Sequence, residues 1–402
     1  MRRPRSRARC RVGWFLVALI PVAAGPADAS STGAAGTGRQ AQAPVEIRER
    51  DSGTTALLQA VSAPSPEVVW VSGHQGVVLR SIDGGTTWRT TPVQTRDTLQ
   101  FRDVHGFDGD RAVILSAGVG SQSRIYRTED GGTTWRLSWV NDEPEGFYDC
   151  LDFWDERRGL AYGDAVGGEL RILLTEDAGR SWRRVPGGRL PVAVEGEGGF
   201  AASGTCVRTG LGGRGWIVTG AGASSRILTT EDFGATWSAR ELPIVAGSAA
   251  GAFTVVFHDP EAGVVLGGDL GRPDAPAGDV AVTDDGGRTW RLAEGPPFPG
   301  AVYGAAQIGP AAERALVAAG PGGLALHQPG GWRGLDDRSY WAVAGVASGV
   351  WAVGPEGRIL EITWTPHQDG SVQQTWPTSA DGGTTWSTAF DGVHRKKPSG
   401  QP

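Results

Sequence analysis

Three kinds of side chain stand at spacings that could do chemistry: a repeated aspartate, a scatter of carboxylates and two internal cysteines. The aspartate recurs in Ser/Thr-x-Asp-x-Gly-x-Thr/Ser-Trp, over 81–88, 128–135, 175–182, 230–237 and 283–290. A carboxylate in a loop can bind calcium or act as an acid, but this setting is that of a hairpin turn. The Asp can accept hydrogen bonds from nearby backbone N–H groups and lock the loop. The Gly supplies a positive φ, and the Trp opens the next strand and buries a wide apolar face. A structural role is therefore expected for Asp83, Asp130, Asp177, Asp232 and Asp285. Trp88, Trp135, Trp182, Trp237 and Trp290 are their expected anchors.

Other chemistry is thinly signalled. A glycosidase needs two carboxylates about 5–10 Å apart across a cleft. Asp149, Asp152, Glu195 and Glu197 lie in or before inner-strand segments and read as solvated loop carboxylates. Gly210 to Gly215 fits G-x-G-x-x-G, but the strand Trp216-Ile217-Val218 follows it. A dinucleotide site needs a helix N-terminus there, so the segment reads as a hairpin turn. The histidines are scattered without ligand spacing, and no serine-nucleophile elbow occurs. No catalytic residue, metal or cofactor is assigned.

The elements that position these groups follow from pattern. The chain has 402 residues, 63 of them Gly and 16 Trp. That composition suits many short strands joined by tight turns. Six arginines precede an apolar run over 14–24 and the small-x-small triplet Ala27-Asp28-Ala29, the layout of a secretory signal peptide over 1–29. An uncleaved N-terminal anchor is the rival reading. Residues 30–44 read as a flexible linker. Cleavage takes the net charge from −6 to about −11. An acidic, exported (periplasmic or secreted) product is a poor partner for nucleic acid and, once cleaved, is not integral to the membrane.

The Trp of the motif returns every 42–55 residues or so, with a decayed copy at Trp332 and a last clean one at Trp386. That period is one four-stranded propeller blade. Seven strand sets start near Leu57, Leu99, Phe147, Gly204, Phe253, Val302 and Tyr340. The expectation is an all-β, seven-bladed propeller of antiparallel four-stranded blades over 45–363. Its last blade shows three strands; the N-terminal strand Val45 to Arg50 is expected to supply the fourth, with the C-terminal extension as the alternative, and either would remove open sheet edges. Residues 364–402 form a C-terminal extension with one extra hairpin, Val372 to Phe390, and a disordered end from 391.

The motif resembles the Asp-box, or BNR repeat, of sialidases, sortilin-type receptors, some endoglucanases and the photosystem II stability/assembly factor family. The unit V-x-x-G-x-x-G-x-[VI]-x-R-[ST]-x-D-G-G-x-T-W is most similar to the last of these, over roughly 45–363. The sialidase pattern is incomplete, because no Arg-Ile-Pro precedes the first box. The resemblance implies an exported, monomeric, non-enzymatic scaffold. Its partner would be a protein, such as a membrane-protein assembly intermediate. A glycan-binding or glycan-hydrolysing propeller is the alternative.

A propeller's channel and long loops are where binding concentrates. Arg102, Tyr148, Asp149 and Arg272 are the expected partner or ligand face, and Glu195–Ala202 and Asp269–Gly278 are longer than a hairpin needs. Val104, Cys150 and Cys206 align on adjacent inner strands. The cysteines are then either an inter-blade disulfide or two small buried hydrophobes.

Overall fold

A computed structural model describes residues 45–363, apart from 96, 277–278, 310–314 and 347–348, and the backbone of two later strands. The expected leader and linker, the body of the last motif and the end from 395 lie outside the described residues. The N-terminal strand β1 (Glu46–Arg50) stands before the first blade. Blade one is β2 (Leu58–Ser62), β3 (Val69–Gly73), β4 (Val78–Ser81) and β5 (Arg89–Thr90). Blade two is β6 (Phe101–Gly106), β7 (Ala112–Ser116), β8 (Arg124–Thr128) and β9 (Arg136–Val140). Blade three is β10 (Tyr148–Phe153), β11 (Gly159–Val166), β12 (Glu169–Thr175) and β13 (Arg183–Arg184). Blade four is β14 (Val207–Thr209), β15 (Gly215–Thr219), β16 (Arg226–Thr230) and β17 (Ser238–Glu241).

Blade five follows as β18 (Ala250–Phe257), β19 (Gly263–Asp269), β20 (Val280–Thr283) and β21 (Arg291–Ala293). Blade six is β22 (Gly304–Ile308), β23 (Ala315–Gly320), β24 (Gly323–Gln328) and β25 (Gly331–Asp336). Blade seven is β26 (Ala342–Val346), β27 (Gly349–Val353) and β28 (Ile359–Thr363), with β1 as its outer strand. Glu46 lies opposite Thr363 and Arg50 opposite Ile359, and Arg50 pairs with Glu361 across the seam. The first described strand thus closes the ring on the last blade and gives it a fourth strand like the other six. Beyond the ring, β29 (Val372–Thr378) and β30 (Ser387–His394) pair with each other; β30 reaches four residues into the stretch expected to be disordered.

The repeated turn has one geometry in all five clean copies described. In the first, Gly85 N–H donates to Ser81 Oγ at 2.9 Å, and Thr87 donates to Asp83 from both its N–H (2.9 Å) and its hydroxyl (2.6 Å). Thr128/Asp130, Thr175/Asp177, Thr230/Asp232 and Thr283/Asp285 repeat the pattern. The Thr87 hydroxyl and backbone N–H hold the Asp83 carboxyl down at about 2. The core lies between blades. Trp135 meets Trp70 of the preceding blade edge-on at 6.0 Å, and Trp88 meets Trp351 in the same way across the closing seam.

Candidate functional site

The first strand of every blade runs in the same direction along the channel. A β-bulge after its first residue in blades one, two and three, and after its third in blade five, sets which side chains face the axis. Just past the bulge, the seven blades place Ala60, Asp103, Cys150, Cys206, Thr254, Gly304 and Ala342 at one level. Asp103, not Val104, is therefore the partner of the two cysteines in register. The expected alignment was one residue off: both strands carry the same bulge, so Phe101-Arg102-Asp103 matches Tyr148-Asp149-Cys150 without a gap.

This level stitches neighbouring blades together. Asp103 accepts from its own chain at Val104 N (2.7 Å) and from blade three at Leu151 N (2.6 Å). Cys150 and Cys206 are joined by a disulfide between blades three and four, with Cα atoms 6.0 Å apart. Thr205 Oγ1 donates to Thr254 Oγ1 at 2.7 Å, and Ala305 N donates to Thr254 Oγ1 at 3.1 Å, so blades four, five and six are linked in turn.

The connection from β13 to β14 is long and does not stay on the surface. Phe200 stacks on Phe253 of blade five at 4.0 Å. Ser203 Oγ donates to the Tyr303 carbonyl of blade six at 2.7 Å. A Cβ at Gly204 (φ +73°) would strike the Asp103 carboxyl of blade two, and one at Gly199 would strike Asp149 of blade three. A segment that touches blades two, three, five and six while leading into blade four must cross the central channel. Residues 198–205 are a plug. Its base is fixed by Glu197, which is 2% exposed and receives Arg226 Nε (2.9 Å), Arg226 Nη2 (2.5 Å) and the Thr219 hydroxyl (2.8 Å).

The plug turns the channel into a blind pit. The pit opens on the face that carries the repeated turns, holds about 520 Å³, and has Ser203, Gly204 and Thr205 in its floor. All seven inner strands contribute to its wall, which is largely apolar (Val61, Leu151, Trp216, Val256, Ala306, Ala344). A concave apolar site with a few convergent polar groups is the usual form of a binding pocket. Pro64, Pro260 and Leu211 also line it, and Leu211 is 91% exposed.

Polar groups also line it, among them His105, Asp152, Arg208, Arg214, Asp259, Gln307 and the floor carboxyl of Asp103. His105 Nδ1 lies 3.1 Å from Asp152 Oδ1, which also takes Phe153 N, while Oδ2 takes both the N–H and the hydroxyl of Thr209. Burial pushes Asp152 up, but the His105 hydrogen bond and charge, with help from Arg208, outweigh it and hold the group below the usual carboxylate range. Asp103 goes the other way: burial raises it well above that range despite the Leu151 N–H. Both carboxyls are thus occupied as inter-blade staples. Arg208 differs. Its guanidinium makes no hydrogen bond or ion pair among the described residues, although it lies in the field of Asp103 and Asp152.

The four residues expected to form one face are separated. Arg102 and Asp149 flank the channel on the far side of the plug; Arg102 donates to Gln100 Oε1 and interacts with Asp149. Tyr148 is fully buried between blades two and three, edge-on to Trp139 at 4.6 Å, and burial pushes its phenol up to about 12. It sits before the bulge and so faces the neighbouring blade rather than the axis. Arg272 is exposed on the loop after β19. Sequence reasoning missed Arg208 and His105 as pit residues. The one signal was the long connection around Glu195–Ala202.

The fold and the pit define a seven-bladed, plugged β-propeller. No family model matches the chain, and no curated protein matches it. Its fold is similar to solved structures that share little sequence with it. YCF48 bound to a D1 peptide is 16% identical, covering 80% of this chain and 97% of that one, with a TM-score of 0.54. YCF48 from Cyanidioschyzon merolae is 17% identical over 79% and 98%, with a TM-score of 0.55. A catalytically inactive virginiamycin B lyase from Staphylococcus aureus with quinupristin is 10% identical over 80% and 100%, with a TM-score of 0.59.

Proposed function

We propose that this chain is an exported, non-enzymatic scaffold of the Asp-box type that binds a protein segment end-on in the pit. The observation that carries the reading is Arg208: a cation without an ion pair, set in a mostly apolar, blind pit with an exposed leucine at its rim. Such a pit suits an apolar segment that ends in, or carries, a carboxylate, because guanidinium–carboxylate contacts are among the stronger charge-assisted hydrogen bonds. The plug excludes a threaded strand, so the occupant enters and leaves by one mouth. The structural likeness to YCF48, solved with a D1 peptide, supports a peptide occupant and a role in assembling or stabilising a membrane protein. The Cys150–Cys206 bridge supports an oxidising compartment, as the expected leader does.

The test is fluorescence anisotropy with a library of apolar peptides that differ in their terminal and acidic groups. Carboxylate-bearing peptides should bind the wild type and lose about tenfold or more with Arg208→Ala, the size of one charge-assisted hydrogen bond. Equal binding by both proteins would remove Arg208 as the anchor. No peptide binding, with a hit on a glycan array, would replace this reading with the saccharide one.

A further inference from the structure

The plug is hung on a pair of carboxyl groups on the side away from the pit. Gly199 N donates to Asp164 Oδ1 at 2.9 Å, and Ala201 N–H donates to Asp149. Gly198 and Gly199 lie flat on the two carboxyls, where a Cβ would come within 2.3 Å of Asp164 and 2.8 Å of Asp149. Asp149 is 1% exposed, and its side chain and that of Asp164 hydrogen-bond each other. Two carboxylates can do this only if one carries a proton. We propose that this shared proton is a clamp: while it is present the plug stays seated in the channel, and its loss releases residues 198–205 and deepens the pit.

The surroundings favour the protonated pair. Arg102 on β6 is a cation acting on Asp149, and among the described residues its side chain hydrogen-bonds Gln100 alone. His74 stands behind it. Tyr162 on β11, fully buried with no partner for its hydroxyl, faces both carboxyls. Glu197 also acts on Tyr162 and is matched by Arg226, so it adds little net charge. Burial, then the charge of Asp164, raises Asp149 well above the ordinary range; burial raises Asp164 as well. For carboxyls raised in this way, the stabilisation is complete at low pH and is lost as pH climbs through their folded values. A second charge then appears beside the first, against the backbone of Gly198 and Gly199. Its relief is to expose the pair, and the plug that covers it meets blade four through the isolated bridge of Gly198 with Gly220 rather than through a strand ladder.

The experiment is hydrogen exchange on the full chain, read on fragments spanning 194–206 and corrected for intrinsic exchange. Between about pH 6 and pH 9 the wild-type plug should lose at least about tenfold protection relative to β7 and β15. Asp149→Asn and Asp164→Asn each replace the shared proton with a permanent amide donor and should abolish the pH dependence. A wild-type plug equally protected across that range, or variants that lose protection as the wild type does, would overturn the clamp. Should either variant misfold, the infrared carbonyl band of a protonated carboxyl decides in the wild type. Its presence at neutral pH and loss at alkaline pH supports the clamp, and its absence at neutral pH overturns it. The effect on binding rests on the peptide reading: peptide affinity that is nil at every pH while plug exchange still titrates would sink that reading and leave the clamp standing.

Discussion

The outer turns and the inner ring of this propeller obey opposite rules. At the rim, five blades repeat one set of hydrogen bonds almost atom for atom, with the same Ser/Thr, Asp and Gly in the same places. At the channel, the equivalent level holds alanine, aspartate, two cysteines, threonine, glycine and alanine, and a disulfide and three hydrogen bonds at or beside it join blades two to six. The rim solves a problem that every blade has: closing a hairpin without a regular ladder. The ring holds one segment that belongs to no blade, so each blade that touches it must meet a different piece of it. Repetition here marks folding, and departure from repetition marks the site.

The largest predicted effect falls on the ring. Replacing both Cys150 and Cys206 with Ser opens a loop with a sequence separation of 56 residues, a loss of about 4 kcal/mol by the chain-entropy estimate. Chemical denaturation with and without reductant checks it; a variant as stable as the oxidised wild type would show that the ring does not need the bridge. Next, Glu197→Leu strands a buried Arg226 and should cost about 3 kcal/mol, visible as a lower denaturation midpoint. At the rim, Asp130→Ala removes two hydrogen bonds from Thr134, yet solvent can replace them, so the expected loss is about 1 kcal/mol. A rim loss larger than the ring losses would reverse the comparison. Smallest in stability is Arg208→Ala, expected within about 0.5 kcal/mol of wild type, since no partner is stranded. Its effect belongs to binding alone.

Acid and base should separate the two regions as well. Asp83 is depressed to about 2 by Thr87, so its contribution is present above its ordinary value of 3.8 and lost as pH falls toward 2. Asp103 and Asp149 are raised, chiefly by burial, so their contribution is present at low pH and lost as pH climbs through their folded values. Stability measured against pH should therefore fall on the acid side through the rim and on the alkaline side through the ring. Asp103→Asn should blunt only the alkaline fall. If it blunts the acid fall instead, the assignment of the two regions is wrong.

The rim was legible because its physics is local. Ser81, Asp83, Gly85 and Thr87 find one another within seven residues, and the Trp spacing counts the blades. The alternating Val45–Arg50 segment pointed to the closing strand for a related reason: seven sets with one strand missing leave one place for it. Arg102 and Asp149 could be placed on inner strands. That they lie beyond a plug, and that Tyr148 turns away from them, depended on a bulge with no sequence signature.

By itself, then, the sequence determined the blades, their number and their turns, because these follow from short-range hydrogen bonding and strand period. Only the tertiary structure decided where the channel is blocked, which carboxyls share a proton and which arginine stands free. Those properties arise from chain segments 50–100 residues apart meeting on one axis: Ser203 against Tyr303, Gly204 against Asp103, Gly199 against Asp149. Burial and charge balance at such a meeting point are sums over all seven blades, and no single repeat contains them.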